Sequence, residues 1–145
     1  VLAALKDARQ KAKLNSITSE MMQLRTEIEL LGNGKYTDSA SATYCESRGD
    51  CEFISNRVFC EEGCENVWKI IDSIRAKAGN TDNILIYVSK NNWMFTVDTN
   101  SLGISSKRSL CIGDSGTVKE NSFPLNKWND PWLYDVPNNQ PCYAL

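Results

Sequence analysis

Histidine is absent from the sequence. A Ser/His/Asp triad, a Cys/His nucleophile pair and a His-ligated metal are thereby excluded. Long apolar runs are missing too. The longest are Val1–Leu5 and Ile84–Val88, far short of the ~20 residues that cross a bilayer. No CxxC pair occurs, so the knuckles of a zinc ribbon are lacking. Neither sign of charge dominates. Sixteen basic and 18 acidic residues leave a net charge of −2. A protein that neutralises phosphates is normally basic, and no specific nucleic acid is expected as a partner. Disorder is disfavoured as well, because 41% of the residues are hydrophobic and only 23% charged. A chain of 145 residues fits one domain with a core of its own.

What is present begins with cysteine. Cys45, Cys51, Cys60, Cys64, Cys111 and Cys142 make an even set, spaced Cys-x5-Cys, Cys-x8-Cys and Cys-x3-Cys before two distant singles. That pattern predicts disulfides and an oxidising compartment, periplasmic or extracellular. The chain opens at Val1, with neither an initiating methionine nor a signal peptide, so removal of an upstream segment is expected.

Residues 1–31 contain no Pro or Gly and are rich in strong helix formers. They predict one helix about 45 Å long, stopped by Gly32-Asn33-Gly34. Its apolar residues form two stripes. Leu14, Ile17, Met21, Leu24, Ile28 and Leu31 recur in steps of 3 and 4. Val1, Leu5, Ala8 and Ala12 do the same on roughly the opposite side, at about 100° per residue. The later stripe suits the chain's own domain, and the earlier one offers a face to something else. Lys6, Arg9, Lys11 and Lys13, opposed only by Asp7, crowd the start. They fit either the flank of a membrane segment or a solvated face.

The remainder reads as a cysteine-rich, acidic loop region with short elements (32–64), then a second helix (65–78) with Val67, Ile71, Ile74 and Ala78 on one face, ended by Gly79-Asn80. Ile84–Val88 and Trp93–Val97 are β-prone runs around the turn Lys90-Asn91-Asn92 and predict a hairpin. Arg108–Ile112 supplies a third strand, giving an antiparallel sheet within 84–112. Residues 113–145 read as irregular, holding all four prolines together with Trp128, Trp132, Tyr134 and Tyr143. This is an α+β layout in a single domain, with the long N-terminal helix on one face of the sheet.

The opening helix, Val1-Leu-Ala-Ala-Leu-Lys-Asp-Ala-Arg-Gln-Lys-Ala-Lys running on through Ile17, Met21, Leu24 and Leu31, resembles the bacterial type IV pilins and the type II secretion pseudopilins. The order of helix, variable loop, sheet and C-terminal cysteine loop agrees over the whole chain. The sequence-specific likeness is confined to about the first thirty residues and the last cysteine pair. The resemblance implies a pilin-like fold with disulfide-closed loops. It also implies an upstream apolar anchor in the inner membrane before assembly, pilus assembly machinery, and copies of the same chain as partners in a cell-surface filament. Val1, Leu2, Leu5, Ala8 and Ala12 would lie at the filament interface. Cys111 and Cys142 match the family's C-terminal disulfide, a crosslink worth about 3–4 kcal/mol by loop closure. Cys45, Cys51, Cys60 and Cys64 would then pair among themselves in one of three ways. No cofactor is implied for a pilin. Asp130-Pro131-Trp132 with Tyr134 resembles the calcium loop of the major pseudopilin, where Asp130 or Asp135 would serve as ligand, although Leu133 replaces the usual glycine.

Three shorter strings carry less. Gly113-Asp114-Ser115-Gly116 matches the segment around a trypsin-like serine, but no histidine can act as its base. Asp98-Thr99-Asn100-Ser101-Leu102-Gly103 opens like an EF-hand loop, yet Leu102 and Ser109 occupy ligand positions. Arg48-Gly49-Asp50 is the integrin-binding tripeptide in a loop bounded by cysteines, a short and weak motif. Trp93, Phe95, Trp128 and Trp132 are read as core aromatics. The expectation is therefore a non-enzymatic pilin subunit, with a pseudopilin as the alternative and a secreted Arg-Gly-Asp adhesive module as a lesser one.

Overall fold

The structure is a computed structural model that describes residues 1–32, 36, 43–45, 48–49, 51, 59, 64–79, 84–103, 109–113 and 116–121. The order is α1 (Leu2–Gly32), β1 (Thr43–Cys45), α2 (Glu65–Ala78), β2 (Ile84–Val88), β3 (Trp93–Asp98), a 3-10 turn (Asn100–Leu102), β4 (Ser109–Gly113) and β5 (Lys119–Asn121). The five strands form an antiparallel meander in sequence order. This is an α+β fold.

α1 runs to Gly32, and Leu14, Ile17, Met21, Leu24 and Ile28 are buried along it. Leu31, the last member of the expected stripe, is half-buried, and Gly32 takes the closest position. A Cβ on Gly32 would stand 2.7 Å from Cε1 of Tyr36 and 3.0 Å from the Phe59 carbonyl oxygen, so glycine is required there by close approach. α2 packs against α1 and β3, and α1 also reaches β4. α2 ends where Gly79, at φ +77°, donates its N–H to the Ala76 carbonyl at 3.2 Å. Arg75 and Lys77 occupy its last turn and Glu65 its first, which complements the helix dipole.

The helices cover the sheet face made by Ile84, Ile86, Val88, Trp93, Phe95, Val97, Leu110 and Ile112. Each fully buried aliphatic or aromatic side chain stabilises by about 1.5–3 kcal/mol. β3 and β4 are buried along both faces. On the second face Leu85, Thr96 and Cys111 lie side by side in one cross-strand row.

Polar contacts fasten the layers. Glu20 of α1 accepts from Lys77 Nζ and, at 2.8 Å, from the Ser73 hydroxyl, while Lys77 also donates to Ser16 at 2.7 Å. Glu29 accepts from Trp93 Nε1 at 2.9 Å and from the Tyr36 hydroxyl at 3.0 Å. Tyr36 donates its N–H to the Lys90 carbonyl, and its own carbonyl accepts the Phe59 N–H at 2.8 Å.

Two strands depart from the expected sheet of residues 84–112. β1 lies in the region read as loops and pairs with β2, Cys45 opposite Ile86. β5 lies in the segment read as irregular and pairs with β4, Lys119 opposite Cys111. Both have only three residues, too few to show alternation; β1 is held by a ladder to a strand far along the chain and β5 by one to the strand just before it. The expected third strand is shifted by one residue, to Ser109–Gly113.

Candidate assembly surface

α1 has 31 residues and is about 46 Å long, but only its second half meets the domain. From Val1 to Lys13 every residue is exposed except Gln10, which is half-buried. Val1 and Leu2 are almost wholly open to solvent, and Leu5 is 50% exposed. Ala8 and Ala12 are exposed as well. None of these five packs inside its own globule. The physical cause is the change of face along one helix. The Leu14–Ile28 stripe points at α2 and the sheet, which turns the Val1–Ala12 stripe outward. Lys6, Arg9, Lys11 and Lys13 are exposed beside it.

Two further large apolar side chains on α1 are exposed, Met22 at 38% and Leu30 at 73%. Leu30 lies within about 20° of the Val1 direction. The signal that finds it is the same helical wheel continued past residue 12.

Cys45 and Cys51 form a disulfide with Cα atoms 5.0 Å apart, and both are buried. Cys64 and Cys111 are disulfide-bonded too. Cys60 and Cys142 lie outside the described residues, as do Asp130, Trp128, Trp132, Leu133, Tyr134 and Asp135, so the expected Cys111–Cys142 pairing and the calcium loop fall there. Among the described residues no group of three or more His, Cys, Asp or Glu could hold a metal. No helix among them is long and apolar enough to cross a membrane.

The Cys45–Cys51 segment is latched to α2. Arg48 donates to Glu65 through both terminal nitrogens, at 3.0 and 2.7 Å, and sits 6.0 Å from the Trp68 ring centroid. This guanidinium holds the Glu65 carboxyl below the ordinary glutamate range, first by the hydrogen bonds and then by its charge. The arginine of the Arg48-Gly49-Asp50 string is therefore engaged within its own domain, and Asp50 lies outside the described residues. That latch was not legible beforehand, since 17 residues separate its partners.

The other strings resolve as structure. Asp98 ends β3 in register with Ser109, and Leu102 is buried in the 3-10 turn. Gly113 closes β4 opposite Met94, while Asp114 and Ser115 are not among the described residues. Trp93 and Phe95 are fully buried. Searches against family models, curated proteins and solved structures give no match to the chain.

Proposed function

We propose that this chain is the pilin-like structural subunit of an extracellular filament, assembled through the front half of α1. The observation that supports it is the outward Val1–Ala12 stripe. A helix half with Val1, Leu2 and Leu5 exposed makes little sense for an isolated domain and good sense for a contact with neighbouring copies. Such contacts join two different patches of successive subunits. A head-to-tail contact that does not close into a ring generates a helical filament. Apolar sequence ahead of Val1 would anchor the subunit in a membrane before assembly and extend the same helix. The domain, with its disulfides, then faces the outside of the fibre. Arg-Gly-Asp adhesion gains no comparable support, because Arg48 is bonded to Glu65.

The test is to produce the chain behind an apolar helical anchor in a pilus-assembling cell and to look for fibres by electron microscopy. Fibres are expected, and Leu5→Glu should abolish them while leaving the melt of the domain unchanged. Anchored protein that assembles equally well with Leu5→Glu, or never leaves the monomeric state, refutes the reading.

A further inference from the structure

The outer side of α1 is uncharged well beyond Ala12. At about 100° per residue, a sector roughly 120° wide runs through Ala8, Ala12, Asn15, Ser19, Thr26 and Leu30, all exposed, without a single charged residue. Charges begin at its two borders. Arg9 and Glu27 fall on one border, and Lys11 and Glu29 on the other, by the same wheel. Each border is thus basic in the front half and acidic in the back half. Arg9, Lys11 and Glu29 belong to exposed residues and Glu27 to a half-buried one. Among the described residues Arg9, Lys11 and Glu27 make no ion pair. Glu29 accepts from Trp93 and Tyr36, and a carboxylate has further acceptor positions to offer.

This charge order selects a partner. Two parallel copies would lay opposite borders together, so Arg9 would meet Glu29 and Lys11 would meet Glu27. A stagger of about 18 residues would bring both within about 3 Å of level, but it pairs the basic residues of only one copy and overlaps the two helices by only about 13 residues. Antiparallel copies related by a two-fold axis lay each border against its own equivalent. The midpoint of Arg9 and Glu27 is Thr18, that of Lys11 and Glu29 is Glu20, and Ser19 lies between them on the outer face itself. With Ser19 against Ser19, Ala12 faces Thr26 and Ala8 faces Leu30, and all four basic residues of the pair find an acid within about 3 Å of level.

We propose that the outer face of α1 is the seam of an antiparallel dimer of this chain centred on Ser19, in which Arg9 and Lys11 of one copy pair with Glu27 and Glu29 of the other. Two helices in contact along roughly 40 Å bury on the order of 1,200 Å² between them, the lower end of stable interfaces. The seam is mostly small and polar, so its affinity depends on exposed ion pairs and falls with salt. The dimer stands apart from polymerisation. It closes on itself and covers α1 from about Lys6 to Lys13, leaving Val1, Leu2 and Leu5 beyond the partner helix's end at Gly32, so it competes with filament contacts made along the covered stretch.

Sedimentation equilibrium of the whole chain tests it. A dimer is expected at low salt, with association about tenfold weaker at roughly 0.5 M salt. Arg9→Glu and Glu27→Arg should each weaken self-association by about tenfold or more, with circular dichroism unchanged. An equimolar mixture of these two variants should dimerise again, because in the mixed pair an acid once more faces a base wherever the two substituted positions meet; a parallel arrangement predicts no such rescue. Ser19→Cys should give a crosslinked dimer on mild oxidation. A chain that is monomeric at low salt up to about 100 µM, variants that fail to rescue each other, or Ser19→Cys that stays uncrosslinked overturns the dimer. Absence of fibres alone would count only against the filament.

Discussion

Arg48 and Glu65 meet in a two-pronged ion pair that ties the Cys45–Cys51 segment to the first turn of α2. Both side chains are open to water, at 42% and 66%, so the contact orients more than it stabilises. Its position explains why the loop before α2 presents Arg48 to the domain rather than to a partner.

The same pair makes a pH prediction. The Glu65 carboxyl titrates below the ordinary glutamate range because Arg48 holds it. A depressed carboxyl contributes stability above its unfolded pKa and loses it as pH falls through the folded one. Glu65→Gln should melt slightly below the parent at neutral pH. The gap should close in acid, below the ordinary glutamate range. Thermal melts across the acid range check this, and a constant gap at every pH would disprove it.

The two faces of α1 predict opposite tolerance. Leu24 is completely buried and Leu5 is half-exposed. Leu24→Ala should cost about 2–5 kcal/mol through lost burial and a cavity. Leu5→Ala should stay within about 0.5 kcal/mol in the monomeric domain. Urea unfolding of both variants measures the contrast.

Phe59 combines a fully buried ring with a left-handed backbone, φ +72°. Its ring meets Trp68 at 5.7 Å and Trp93 at 6.0 Å between centroids. Removing the ring should cost about 3–5 kcal/mol. Glycine tolerates the backbone and alanine does not, so Phe59→Gly should be more stable than Phe59→Ala by about 1 kcal/mol. The usual order is the reverse, and denaturant midpoints decide it.

Thr96 is buried between Leu85 and Cys111 in the middle of the sheet, and its hydroxyl has no hydrogen-bond partner among the described residues. Burying an unmade hydrogen bond is costly. Thr96→Val, nearly the same shape, should raise stability by about 1 kcal/mol. A loss in chemical denaturation would reveal a partner for that oxygen.

The wheel of residues 14–28 was enough to read α1 and its buried side, because helical periodicity is a local property that each few residues restate. The Ile84–Val88 and Trp93–Asp98 hairpin was legible for the same reason, with β-prone runs either side of a short turn. Gly79 announced the end of α2 through the conformation it alone adopts freely. The outward aim of Val1, Leu5, Ala8 and Ala12 also followed from spacing. Other features came only with the assembled layers. β1 and β5 are three-residue edges whose pairing lies in their neighbours. Glu29 and Trp93 are 64 residues apart, and Phe59 is held in its unusual backbone state by the Tyr36 carbonyl and two tryptophans. Those contacts join groups brought together by folding, and no local pattern encodes which distant partner each will meet.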